Sequence, residues 1–342
     1  MPDPTTDLPF AWGGPAGEGV LRASPEDFQV EEDLGVEASG SGEHVLLKVR
    51  KRNLNTAEVA AHVARLAGVR ARDVSYAGLK DRNAVTTQTF SVHLPGKEDP
   101  DWRELEGDKL EVLEAKRHHR KLRRGTLQGN AFRLRVRAFS GDGGQLENRL
   151  QKITAHGVPN YFGAQRFGRD GNNLQKAEAL LSGEIRKVRR DKRSIWLSAA
   201  RSRLFNLVLA ERVRQGNWNR FLEGDVMQLA GARGQFMVEP DDAELLSRLQ
   251  NQEVHITGPL CGKQSRALQP QAAAARVEQQ VLQHEQTWVA GLTRFGLEAD
   301  RRALGLAVTG FQWQLDKDVL ELQFGLASGS YATAVVRELL RF

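Results

Sequence analysis

AFRLRVRAF, residues 131–139, alternates without a break. Successive side chains of an extended chain point to opposite faces, so Phe132, Leu134 and Val136 fall on one side and Arg133, Arg135 and Arg137 on the other. This is a strand with an apolar face for a core and a row of arginines suited to phosphate. Downstream, SGDGG (140–144) breaks the pattern. Upstream, KLEVLEA (109–115) and GEHVLLKVRKRNLNT (42–56) read as further strand segments. Between them NTAEVAAHVARLAGV (55–69) reads as a helix. Asn55 and Glu58 have capping-box spacing, Val59, Val63 and Leu66 form the apolar stripe, and Gly68 is the stop.

From about residue 156 the pattern turns helical. NLQKAEALLSG (173–183), SAARSRLFNLVLAERVRQG (198–216, with Ser198 as cap), DDAELLSRLQ (241–250) and AAAARVEQQVLQHEQTWVAGLTRFG (272–296) are the helical stretches. After 302 strands return. Phe311, Trp313 and Leu315, then Leu320, Leu322 and Phe324, alternate around DKD (316–318) as a hairpin, and SGSYATAVVRELLRF (328–342) closes the chain as a helix. A β-rich start and end around a helical middle imply an insertion. Residues 1–155 and 303–342 are expected to form one discontinuous domain and 156–302 a second, in an α+β fold.

The chain has 342 residues, 40% hydrophobic and 27% charged, with no apolar run of spanning length and an acidic, Pro-rich start. A single cysteine, Cys261, excludes internal disulfides and Cys-rich zinc sites, and adjacent His118 and His119 lack the spacing of two ligands on one helix face. We therefore expect a cytoplasmic protein with no structural metal and no membrane association. Net charge is +6, unevenly spread. Residues 1–43 hold ten acids and one base, Arg22, whereas 115–137 hold nine Lys/Arg and no acid. A second basic cluster, RKVRRDKR, spans 186–193. Two such clusters beside an acidic segment point to a polyanion. No dinucleotide loop, P-loop, nucleophile elbow or HExxH motif is present.

YAGLKDRNAVTTQTFSV (76–92) poses a separate question. Its second half alternates as a half-buried strand. Ahead of the strand Lys80, Asp81 and Arg82 crowd one turn, with a carboxylate between two cations. This is either a solvated turn or a carboxylate held ionised for chemistry.

Three stretches, PEDFQVEEDLG (25–35), YAGLKDRNAVTTQ (76–88) and GVPNYFGAQRFG (157–168), resemble signatures of the tRNA pseudouridine synthase D family. GNAF (129–132), KRSIWLSAARSRLFN (192–206) and GSYATAVVREL (329–339) fit it too, in the same order, from about residue 17 to 340. The resemblance implies a pseudouridine-synthase catalytic domain with a mixed, mainly antiparallel sheet, and an inserted, mainly helical α/β family-specific (TRUD) domain. It implies an isomerase that turns uridine into pseudouridine, typically uridine-13 in the D arm of tRNA, with no cofactor or metal, acting as a monomer.

Asp81 in GLKDR matches the family's catalytic aspartate. One carboxylate can act as nucleophile at C1′, as base on the 2′ proton or as Michael donor to C6 of uracil; a glycosidase would need a second. Phe28 matches an aromatic lining the uridine pocket. Asn130 matches a residue contacting the target nucleotide, and Phe132 is expected to stack on the flipped base. Tyr331 stands where relatives often carry Phe. Arg22, where relatives commonly have Lys, is expected to pair with Asp81 through its guanidinium fork, with Lys80 and Arg82 as rivals. Arg120, Lys121, Arg123 and Arg124, with Arg189 and Arg190 of the second cluster, are expected on RNA backbone. Two other readings stay open: the same isomerisation on another RNA, and a tRNA-binding or tRNA-folding protein with secondary catalysis.

Overall fold

A computed structural model describes residues 7–232, 234–237 and 243–342; the side chains of Arg124 and Ala243 lie outside that description. In chain order the first run of elements is β1 (Gly17–Leu21), β2 (Phe28–Asp33), β3 (His44–Arg52), α1 (Thr56–Leu66), β4 (Val74–Tyr76), β5 (Val85–His93), β6 (Leu110–His118) and β7 (Gly129–Gly141). The middle run is α2 (Gly143–His156), β8 (Val158–Pro159), α3 (Ala164–Phe167), α4 (Asn172–Ser182), α5 (Arg190–Arg214), β9 (Val226–Leu229), β10 (Gln235–Met237), α6 (Ala243–Gln250), β11 (Val254–Leu260), α7 (Ala272–Leu282), α8 (Gln286–Arg294), β12 (Asp300–Ala303) and β13 (Gly305–Leu306). The hairpin β14 (Thr309–Asp316) and β15 (Val319–Ala327) follows, then α9 (Ala332–Leu339) and β16 (Leu340–Arg341).

Packing divides the chain into two compact units. One comprises Gly17–Gly141, Thr309–Gly329 and Phe342; the other comprises the described part of 1–16, Asp142–Val308 and Ser330–Arg341. Composition placed the divisions near 155/156 and 302/303, whereas packing places them at 141/142 and 308/309. The reason is local. α2 buries Leu146, Leu150 and Ile153 and packs against α9. Glu338 of α9 accepts hydrogen bonds from the amides of Ala11 (2.9 Å) and Trp12 (3.3 Å), tying the start of the chain to the helical unit.

The sheet unit runs in the order β14-β15-β7-β2-β5-β3-β6, with β1 on β7 and β4 on β5. Each of these pairings is antiparallel except β2 with β5, so the sheet is mixed and mainly antiparallel. α1 packs on it over Val45, Leu47, Val49, Phe90 and Val92, and begins at the expected capping box, where the Asn55 amide donates to Glu58 at 2.9 Å. β5 departs from the expected half-buried strand. It is central, and Thr86 to Val92 are buried on both faces, polar residues included. The arginine row of β7 also differs from expectation. Arg135 pairs with Glu321 on the neighbouring strand at 2.6 Å, and Arg137 holds the fully buried Asp27 through three contacts of 2.8–3.1 Å. Two of its three charges are therefore paired within the protein: Arg135 faces Glu321 in register on β15, and Arg137 reaches Asp27 in the turn before β2.

The helical unit centres on α5, which buries Leu204, Phe205, Val208 and Leu209. α5 starts at Arg190, so Ser198 is interior rather than a cap. Lys and Arg are good helix formers, and nothing between 190 and 198 stops the helix. The stretch expected over 272–296 divides into α7 and α8 at a 3₁₀ turn, Gln283–Glu285. A four-stranded sheet, β10-β9-β11-β12, packs in the same unit; three of its strands are too short for sequence periodicity to reveal, and β11 is buried without alternation.

Candidate active site

The GLKDR turn lies in the sheet unit, between β4 and β5. Its backbone is held from below by side chains that bury hydrogen-bonding groups only where partners exist. Gln88 of β5 donates through Nε2 to the carbonyl of Gly78 at 2.7 Å. Thr56, the first residue of α1, donates to Gln88 Oε1 at 2.9 Å and accepts from the Lys80 amide at 3.1 Å. Lys51 of β3, fully buried, donates from Nζ to the carbonyl of Leu54 at 2.8 Å and to that of Asp81 at 3.1 Å.

Asp81 carries its own pair. Arg22 Nη2 donates to Asp81 Oδ2 at 2.8 Å, with both side chains partly exposed. Arg22 follows β1 in the left-handed region (φ 67°), a conformation uncommon for a non-glycine residue. Its guanidinium lies 3.8 Å from the centre of the Phe28 ring, a cation–π contact that orients the fork. The pairing is a single contact through Nη2 rather than the two-pronged fork expected, and Nε is buried without a hydrogen-bond partner among the described residues. Lys80, the rival on the same turn, faces elsewhere. Its Nζ lies 2.8 Å from Glu32 Oε1 and donates to Asn130 Oδ1 at 2.8 Å. The Lys80 and Glu32 side chains are only 6% and 2% exposed, so this pair is screened little by solvent. Glu32 also accepts from the Thr89 amide at 3.0 Å and from Gln88 at 3.3 Å.

Asn130 stands opposite Glu32 in the β2–β7 register. The glycine before it is required: a Cβ on Gly129 would lie 2.7 Å from the Leu326 carbonyl. Phe132 is buried, edge-on to Phe28 (ring centres 6.2 Å) and stacked on Phe324 (5.5 Å). Arg22, Phe28, Lys80, Asp81, Asn130 and Phe132 are thus all in one unit. Tyr331 belongs to the helical unit, where it caps α9 and its hydroxyl accepts from Arg166 at 2.9 Å. Arg120, Lys121 and Arg123 are exposed on the sheet unit, and the Arg124 side chain lies outside the described residues. Arg189 and Arg190 are exposed on the helical unit, Arg189 paired with Asp191 at 3.0 Å.

Glu32, Lys51, Gln88 and Thr56 escaped the sequence reading. Two left a signal. Glu32 shares strand parity with Phe28 and Val30, and Lys51 with Leu47 and Val49, so each is a charge at a core position. Cys261 is buried, which pushes its thiol up to about 12 and keeps it out of nucleophilic chemistry.

Burial lowers Lys51 from 10.5 to about 8, opposed by the charges of Asp81, Glu32 and Glu58 and assisted by Lys80. Below about pH 8 both folded and unfolded chains hold the proton. Between about 8 and 10.5 the unfolded chain holds it and the folded one releases it, so this residue makes stability rise with pH. Lys51→Met is expected to remove that rise. Denaturant midpoints of the two proteins across this range check it, and parallel profiles would reject it.

The sequence profile of the family described as tRNA pseudouridine synthase D (TruD) matches residues 8–189 and 171–339. This chain belongs to the tRNA pseudouridine synthase D family. It is 48% identical over 337 residues to the tRNA pseudouridine synthase D of Methylococcus capsulatus, covering 98% of this chain and 95% of that one. It is 46% identical over 342 residues to that of Hydrogenovibrio crunogenus, covering 99% and 98%. A crystal structure of the family from Methanosarcina mazei shares the fold, with a TM-score of 0.75, 21% identity and coverage of 97% and 95%. The α+β class read from the sequence is the one this family has.

Proposed function

We propose that this protein isomerises uridine to pseudouridine in tRNA, at uridine-13 of the D arm, with Asp81 as the reacting carboxylate. The observation that carries the reading is Asp81 itself. A guanidinium pairs with one of its oxygens, and its turn is fixed by a buried polar network, within a family named for this reaction. A solvated turn needs neither device.

The reaction breaks C1′–N1 and forms C1′–C5. The C5 proton leaves to water and N1 gains one, with no change in oxidation state. Asp81 acts on the sugar or on uracil C6; we favour abstraction of the 2′ proton, the glycal route. Arg22 fixes the direction of the carboxylate. Phe28 walls the uridine pocket and carries the Arg22 fork on its face. A uridine stacked within folded tRNA has to be extruded, which costs a few kcal/mol. Phosphate contacts offset this, and Arg120, Lys121 and Arg123, with Arg189 and Arg190, are the side chains we assign to them.

Two expected results follow from these assignments. Arg22→Ala should lower turnover about 10²-fold through misdirection of Asp81. Arg22→Lys should recover part of it, since a point charge replaces a fork. Turnover unchanged in the Ala variant would remove Arg22 from the reaction. tRNA affinity should fall steeply with salt, with a log–log slope of about −0.7 to −0.9 per phosphate neutralised. Replacing Lys121 and Arg123 by Gln should reduce that slope by about 2. A flat salt response would refute the phosphate assignment. The reading as a whole is tested by tritium release from an unmodified transcript labelled at C5 of its uridines, with pseudouridine then mapped by position.

A further inference from the structure

The turn that carries Asp81 also presents Leu79, which is 75% exposed; among the described residues no other large apolar side chain is left so open to water. A lone exposed leucine is ordinary on a surface. This one differs in how it is held, because the backbone on either side of it is fastened inward. The Gly78 carbonyl accepts from Gln88 at 2.7 Å, the Lys80 amide donates to Thr56 at 3.1 Å, and the Asp81 carbonyl accepts from buried Lys51 at 3.1 Å. Three successive side chains then alternate. Leu79 stands out, Lys80 turns in with its side chain 6% exposed, and Asp81 stays open at 35%. Leu79 therefore shares the solvent side of the turn with the reacting carboxylate. The turn cannot roll to bury it without breaking those bonds.

We propose that Leu79 is a wedge: it enters the tRNA stack in the space the extruded uridine leaves, while Asp81 meets the extruded nucleotide. This rests on the reading that the site isomerises uridine in tRNA. Cα atoms two residues apart are separated by at most about 7 Å, so a nucleotide swung onto Asp81 leaves its gap beside the leucine. An extruded base leaves its two neighbours without a face between them, and the strand relaxes by restacking them or by drawing the base back. A branched apolar side chain fills the gap and leaves water as it does so. That gain exists only when the uridine is out. Leu79 therefore favours the extruded state over the bound, stacked one, whereas phosphate contacts are made in both.

The test compares wild type with Leu79→Ala and Leu79→Met on an unmodified tRNA transcript. Single-turnover rates are read by tritium release at saturating protein, with the unfolding midpoint and the tRNA Kd as controls. Leu79→Ala should slow the reaction by about 10- to 100-fold, because part of the extrusion cost is no longer offset. Its midpoint should hold, since an exposed side chain supports nothing in the fold. Its Kd should change by less than about threefold, since phosphates dominate affinity. Leu79→Met refills the gap and should return most of the rate. A second readout follows the stack directly. The nucleotide beside the target is replaced by 2-aminopurine, whose fluorescence rises on unstacking. The rise on mixing should appear with wild type and Leu79→Met and be lost with Leu79→Ala. Five results overturn the proposal while wild-type tritium release stays intact: Leu79→Ala at the wild-type rate, a loss confined to Kd, a fall in midpoint that accounts for the lost rate, a Met variant as slow as the Ala one, or a fluorescence rise that is absent with wild type or undiminished with Leu79→Ala. No tritium release by the wild type is the distinct sign that the functional reading itself has failed.

Discussion

Asp81→Asn is expected to stop pseudouridine formation, lowering it by about 10³-fold or more, while leaving the fold and tRNA binding in place. An amide at this position can neither attack C1′ or C6 nor remove the 2′ proton at neutral pH, so all three routes lose their reacting group. The substitution is nearly isosteric. Asn Oδ1 still accepts from Arg22 Nη2, which lies 2.8 Å from the present carboxylate, and the Lys51 bond goes to the main-chain carbonyl, which does not change. The loss should therefore appear in turnover and not in unfolding midpoint or affinity. The measurement is tritium released to water from C5-labelled uridines, wild type against variant. Equal release by both proteins would mean that the GLKDR turn is a surface feature and that the chemistry lies elsewhere.

Glu32→Ala is expected to destabilise the sheet unit by about 3–5 kcal/mol, the cost of leaving a buried charge without its partner. Removing the carboxylate strands Lys80, which lies 2.8 Å away and is almost fully enclosed, and unpairs the amide of Thr89. The energy comes from leaving one member of the pair buried and unpaired, and not from the worth of the pair itself. A double replacement, Glu32→Leu with Lys80→Met, should therefore cost less than Glu32→Ala alone. Chemical denaturation of the three proteins decides between them. A cost below about 1 kcal/mol for Glu32→Ala would show a pair screened like a surface salt bridge. The single variant should also lose turnover in excess of its loss of folded protein, because Lys80 precedes Asp81 on the same turn.

The elements most legible in the sequence were those specified by local rules. Period-2 alternation marked β7 and the β14–β15 hairpin, and a capping box and stop glycine marked α1. Arg22 and Asp81, expected to pair, meet through one guanidinium nitrogen rather than a fork. Ser198 misled because a capping residue type carries no information on whether the chain before it is already helical; the basic run from Arg190 is the first two turns of α5. β5 misled because alternation describes a strand with one wet face, and β5 has none.

By itself, the sequence determined the family and the α+β class, since the motifs that carry them are written in residues close together along the chain. The tertiary structure decided which charges are paired within the protein. Arg135 and Arg137 meet Glu321 and Asp27, Lys80 meets Glu32 and not Asp81, and Lys51 supports the Asp81 carbonyl. Those pairings span from 30 to 186 residues and depend on strand register, which no local pattern encodes. Register is fixed only when whole strands bury their apolar faces together, and it is register that places Asn130 opposite Glu32 and within reach of Lys80.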